Sequence, residues 1–312
     1  VAYFFYVAVV ETSTTAERIS GTELNFKKNE WIEIIRQKGS KEAYQLFLAE
    51  APQNIEIDTH TQAHLFGEAL YEVDGLDGIS ICDDSFAFGC YHSFLGSAIY
   101  YEGIETLPFF NQACKDKYGS ENLPCQHGIG HGVLIYTGYD DLVGALDLCR
   151  TITDRPTGGC SSGVFMEYNF HTMESESVVG YSRPLTEDVF APCSNLDSSY
   201  QPSCYLEQVQ WWEGIFNRDY KKIGVLCEEI AEEVNRQACF HGVGNYIASF
   251  TMHDVQKILH LCTLMPSATG RAECHEGASW LIRGDGSFVD DARLLCDALS
   301  EPYRSSCNHK LS

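Results

Sequence analysis

Leucine, isoleucine and valine recur at three- and four-residue steps in a series of short segments, each of which runs into a cysteine. Leu142, Val143, Ala145, Leu146 and Leu148 lead into Cys149, and segments 220–227, 255–262 and 289–296 keep the same rhythm. This period predicts amphipathic helices with one face toward a core. Between them lie richer apolar runs that start at a second set of cysteines, such as Cys125-Gln-His-Gly-Ile-Gly-His-Gly-Val-Leu-Ile-Tyr-Thr-Gly138. Gly138, like Gly103 one unit earlier, stands where a left-handed helix terminator belongs. Each unit therefore reads as a first helix, a turn and a second helix.

The cysteines punctuate these units. Cys90, Cys125, Cys160, Cys204, Cys239, Cys274 and Cys307 open successive units at steps of 35, 35, 44, 35, 35 and 33 residues. Each has a partner just upstream: Cys82, Cys114, Cys149, Cys193, Cys227, Cys262 and Cys296. A fixed period of this size marks a repeat protein whose units stack to bury a face that none could bury alone. The fold expected is all-α: antiparallel helix-pair repeats of about 35 residues forming a curved α/α solenoid, stapled between units. No tight C-x-x-C cluster suits a metal, so the fourteen cysteines read as disulfides, with reduced structural thiols as the rival. A bridged loop of about eleven residues contributes roughly 2.5 to 3 kcal/mol in the chain-entropy model. Disulfides persist outside the reducing cytosol, so the expected location is extracytoplasmic: secreted, periplasmic or anchored at the cell surface.

Three further segments complete the organisation. Residues 1–20 hold an uncharged apolar run, VAYFFYVAVV, and a polar linker, read as a truncated signal or an N-terminal membrane anchor, with a buried element as the rival. Residues 21–57, with helical patterns at 29–37 and 41–50, form an N-terminal helical cap. The repeat domain then spans 58–312, its first unit opening at Asp58, a plausible N-cap, in place of a cysteine. The unit opened by Cys160 carries about nine extra residues between Asn169 and Glu187, a surface loop by expectation. Ser93, Gly128, Gly163, Gly242 and Gly277 recur three places after the opening cysteines, which suggests close approach of neighbouring helices.

The rhythm His64-x-x-Gly67-x-x-x-Tyr71, and the block from Tyr136 to Cys149, are similar to Sel1-like repeats, relatives of tetratricopeptide repeats. The resemblance covers residues 58–312 and implies a right-handed superhelix whose first helices line the inner face. The chain also resembles envelope proteins carrying blocks such as Gly163-Val-Phe-Met-Glu-Tyr168. The His-Gly-Ile-Gly-His block lies outside the Sel1-like consensus, so its chemistry is argued from the residues alone.

On a common register, His60, His92, His127, Ser162, Leu206, His241 and Glu276 stand two positions after the opening site. His64, Gly96, His131, Met166, Gln210, Asn245 and Trp280 stand six positions after it. Residues four apart share a helix face. The first and third units thus present paired imidazoles, and the unit between adds His92. Five imidazoles on one stripe suit a transition metal such as Zn, Cu or Fe, giving His60, His64, His92, His127 and His131 as candidate ligands. Glu167 is the candidate catalytic carboxylate, and His241 and Glu276 could extend the site. Two other uses stay open: an anion held by free amides of 127–131 near a helix start, or purely structural hydrogen bonding. Distance is the difficulty, since the first and third helices stand about two helix diameters of roughly 10 Å apart.

Net charge narrows the partners. At −23 the chain has no basic stripe to neutralise phosphates, which argues against nucleic acid. Tyr100, Tyr101, Tyr136 and the Trp211-Trp212 pair could hold a small molecule, peptide or glycan on the concave face. No nucleophile elbow, P-loop or H-E-x-x-H motif occurs, so the residues leave open whether the protein is an enzyme or a binding scaffold.

Overall fold

The computed structural model describes residues 21–51, 59–119, 123–152, 157–170, 183–284 and 289–311. The apolar run at 1–20, the cap remnant 52–57, Asp58 and most of the extra loop after Asn169 lie outside them. Fifteen α-helices and no strand occur among the described residues. They are α1 (Gly21–Lys38), α2 (Ser40–Glu50), α3 (Thr59–Asp74), α4 (Ser85–Glu102), α5 (Leu107–Tyr118), α6 (Leu123–Thr137), α7 (Leu142–Arg150) and α8 (Gly159–Phe170). Then follow α9 (Gln201–Ile215), α10 (Tyr220–Glu229), α11 (Glu233–Phe250), α12 (Val255–Cys262), α13 (Ala268–Gly284), α14 (Val289–Asp297) and α15 (Tyr303–Leu311).

The long helices pack in chain order: α3 on α4, α4 on α6, α6 on α8, α8 on α9, α9 on α11 and α11 on α13. Short helices seat against the long ones they connect, as α7 does on α6 and α8 and α12 does on α11 and α13. Several short helices begin on an aspartate whose side chain accepts an amide hydrogen bond from the first turn: Asp141 from Gly144, Asp219 from Lys222 and Asp254 from Lys257. Each such cap satisfies an amide that the helix itself leaves without a partner. Gly103 and Gly138, both at φ 90°, end α4 and lead out of α6 as the sequence pattern predicts. At the N-terminal end, α1 and α2 cover α3 through Trp31, Phe47 and Phe66, whose rings meet edge to face or stacked.

Seven disulfides use all fourteen cysteines, and every pair is the adjacent one read from the spacing, from Cys82–Cys90 to Cys296–Cys307. Most fasten a short helix to the long helix that follows it. The long helices begin earlier than the cysteines suggest: α4 starts five residues before Cys90, at Ser85, and α11 starts six before Cys239, at Glu233. The opening cysteines therefore lie in the first or second helical turn, where a side chain reaches back to the preceding helix.

The small residue three places after the cysteine sets the helix spacing. A Cβ built on Gly163 would fall within 3.0 Å of the His127 carbonyl oxygen, and one on Gly277 would do the same at the His241 carbonyl oxygen. These contacts are backbone against backbone, so no side chain could move aside. Removing the Cβ lets neighbouring helices meet far more closely than side-chain packing permits.

Candidate metal centre

Close packing resolves the distance problem that the sequence raises. His60 and His64 stand on successive turns of α3, His92 on α4, and His127 and His131 on successive turns of α6. Ring centroids lie 4.6 Å apart for His60–His64, 5.3 Å for His60–His92 and 5.6 Å for His64–His92. On the far side they lie 5.2 Å apart for both His92–His127 and His92–His131, and 4.9 Å for His127–His131. All five predicted ligands thus form one continuous group with His92 at its centre. His92 and His131 are buried, at 7% and 1% exposure, and the other three are half-buried.

Burial and mutual repulsion favour the neutral form of three of these rings. Desolvation pushes the pKa of His64, His92 and His127 well below the ordinary value of 6.5, and neighbouring imidazoles add to the shift. The neighbours acting on His92 are, after burial, His131, His127, His60 and His64. A neutral imidazole carries one lone pair, which is the form that ligates metals. One donor atom each from His60, His64 and His92 fall within 4.8 Å of one another.

Hydrogen bonds behind the rings choose which nitrogen faces inward. His60 Nδ1 lies 2.7 Å from the Phe86 carbonyl oxygen, so it carries the proton and leaves the lone pair on Nε2. His64 Nε2 sits 3.1 Å from that atom and donates to it. Two nitrogens on one tetrahedral ion with bonds of about 2.0–2.1 Å lie roughly 3.3 Å apart, close to this spacing. Phe86 and Phe88 hold φ values of 53° and 62°, a left-handed conformation that strains a bulky residue. That turn aims the Phe86 carbonyl at His60.

Glu167, the candidate catalytic carboxylate, is fully buried on α8. Its Oε2 lies 2.9 Å from His131 Nδ1, and its Oε1 accepts a 2.6 Å hydrogen bond from the Tyr139 hydroxyl. It orients a histidine from behind. His241 and Glu276 do not join the five imidazoles: they gather with Glu273 on α11 and α13, the three donor atoms within 4.8 Å of one another. Lys310 of α15 lies 2.6 Å from Glu276 there. Burial pushes His241 down to about 4, while burial and the charge of Glu276 push Glu273 up to about 7.

Other expectations need correction. Residues 127–131 lie inside α6, which begins at Leu123, so their amides are spent within the helix and form no anion nest. Trp211 and Trp212 are fully buried and present no face to a ligand. Their indole N–H groups donate to the Arg183 and Val189 carbonyls, and the Arg183 guanidinium stacks 3.6 Å over Trp211. Both rings fasten the segment that precedes α9. Tyr100, Tyr101 and Tyr136 do stand exposed, at 55%, 72% and 44%.

Glu207 carries chemistry that the register hides. It is a buried carboxylate at the position where other units place a small residue, and it accepts hydrogen bonds from Ser162 of α8 and Tyr246 of α11. Burial raises it to about 7 against those two donors. The break in the small-residue series was the available signal. Tyr139 and the Phe86 carbonyl left no comparable trace. Compared with known proteins, the chain matches no family model, no curated protein and no solved structure.

Proposed function

We propose that this is an exported metal-binding protein that holds a transition-metal ion on His60, His64 and His92, within a five-histidine group completed by His127 and His131. The observation that carries the reading is the convergence of three imidazole nitrogens, from two helices, within 4.8 Å. Neutral nitrogen donors favour Zn, Cu or Fe over Mg or Ca, whose preferred ligands are oxygens. Three protein ligands leave a position for water or substrate, the arrangement used by catalytic rather than purely structural sites.

The wider reading has the long helices as the inner wall of a curved α/α solenoid of Sel1-like units of about 35 residues. Their packing in chain order and the backbone contacts at Gly163 and Gly277 support it. Seven disulfides support an oxidising, extracytoplasmic location, whether secreted, periplasmic or surface-anchored. No helix among the described residues is long and apolar enough to cross a membrane. A scaffold that docks a peptide or glycan is the second reading. It draws on the exposed Tyr101, stacked 5.9 Å from Tyr71 near the end of α4.

Elemental analysis of protein purified without a chelating resin tests the first reading against a His60→Ala/His92→Ala variant. Bound metal in the wild type that disappears in the variant is the expected result. Wild-type protein that carries no metal and cannot be loaded with Zn, Cu or Fe would overturn it.

A further inference from the structure

We infer that the histidine group is built for two metal ions, one in each of two lobes that share His92. This deepens the reading above and depends on it. His60, His64 and His92 make the first lobe. His92, His127 and His131 make the second, whose ring centroids, at 4.9, 5.2 and 5.2 Å, span a similar range to the 4.6, 5.3 and 5.6 Å of the first, the lobe whose three donor atoms fall within 4.8 Å.

The lobes share a plan. Each pairs imidazoles four residues apart on one helix and borrows His92 from the helix between. In each, one histidine is gripped from behind at Nδ1: His60 by the Phe86 carbonyl at 2.7 Å, and His131 by Glu167 at 2.9 Å. Such a contact to oxygen fixes the tautomer and turns Nε2 toward an ion. The grips come from different helices, α4 for His60 and α8 for His131.

His92 is the element that makes two ions chemically workable. Its ring touches all four other imidazoles, and its two nitrogens point away from each other by the geometry of the ring. One nitrogen serves each lobe. Formation of a second metal–nitrogen bond would break the His92 N–H bond and release the proton to solvent. The bridging ring would then carry a negative charge between two cations, while Glu167, held by Tyr139, would keep His131 oriented at the second lobe. That charge would offset part of the repulsion that two divalent ions feel at close range.

Copper(II) titration of the metal-stripped protein, followed by desalting against glycine and elemental analysis, reads the stoichiometry. Electron paramagnetic resonance of the same samples reads whether the ions share a ligand. Two equivalents are expected, with a coupled spectrum when both lobes are filled and an uncoupled one at the first equivalent. His127→Ala/His131→Ala and His60→Ala/His64→Ala should each retain one equivalent and lose the coupling. One equivalent in the wild type would overturn the two-ion inference and leave the metal site standing; none would remove both. If the variants lose their helical circular-dichroism signal, the wild-type spectrum decides alone. Two equivalents without coupling would defeat the shared role of His92.

Discussion

At one place in successive long helices His92 meets both His60 and His127, whereas at the same place further along Glu276 meets a lysine. His60, His64 and His92 in the first region, and His241, Glu273 and Glu276 in the second, each bring three donor atoms within 4.8 Å of one another. They differ in where a positive charge comes from. Lys310 reaches from α15 to 2.6 Å from Glu276 and supplies a cation to the second group from within the chain. The groups that act on His64, His92 and His127, by contrast, are other histidines. An internal ammonium satisfies carboxylates.

Acid should separate the two regions most strongly. His64, His92 and His127, held well below 6.5, and His241, held at about 4, stay neutral in the folded chain while the unfolded chain takes up protons. Each site then costs up to about 1.4 kcal/mol of stability per pH unit, beginning as pH falls through 6.5. Glu207 and Glu273, raised to about 7 from 4.5, have the opposite sign: folding binds their protons, and they recover stability as pH falls between those values. Urea unfolding of the metal-free protein across pH 7 to 4.5 should therefore show stability falling with acid. His92→Leu should flatten that slope and Glu207→Gln should steepen it. A slope unaltered by both changes would defeat the assignment.

Glycine substitutions sharpen the comparison next. Gly163→Ala and Gly277→Ala each drive a Cβ against a backbone carbonyl, of His127 and His241 respectively. Each should cost about 1 to 3 kcal/mol, as overpacking does. Thermal melts should show similar losses, while only Gly163→Ala shifts His127 and weakens metal retention. Equal retention by both variants would mean that helix spacing does not set the site.

Glu167→Gln keeps the shape but weakens the grip on His131. A loss of about 10- to 100-fold in affinity at the second lobe is the usual cost of removing such a partner. Isothermal titration with copper(II) reads it, and an unchanged isotherm would remove Glu167 from the site. Lys310→Met should give the smallest change in stability, on the order of 1 kcal/mol, because the lysine side chain is 61% exposed. If the lysine is what sets the two groups apart, this variant should gain one equivalent of manganese(II) or cobalt(II) that the wild type lacks.

Much of this architecture is written in short-range spacing. The disulfide partners lie only 8 to 12 residues apart, so loop length leaves each cysteine one near neighbour. Gly103 and Gly138 end helices because their position demands a positive φ, and the i, i+4 imidazole pairs follow from helical pitch. Glu167 was visible as a carboxylate near the stripe, yet its place behind His131, with Tyr139 on its other oxygen, was not. Nor could periodicity reveal that Trp211 is covered by Arg183, since a Trp-Trp pair reads alike on a groove and in a core.

By itself, then, the chain determined what neighbours along one helix do: which residues coil, where they stop, which thiols bond and which imidazoles share a face. Tertiary structure decided what meets across helices: His92 between two pairs, the strained Phe86 carbonyl on His60, and Lys310 on Glu276. The reason is one of range. Backbone geometry links positions a turn apart with little freedom, whereas interhelical contacts depend on spacing set by the absence of a Cβ at a few glycines.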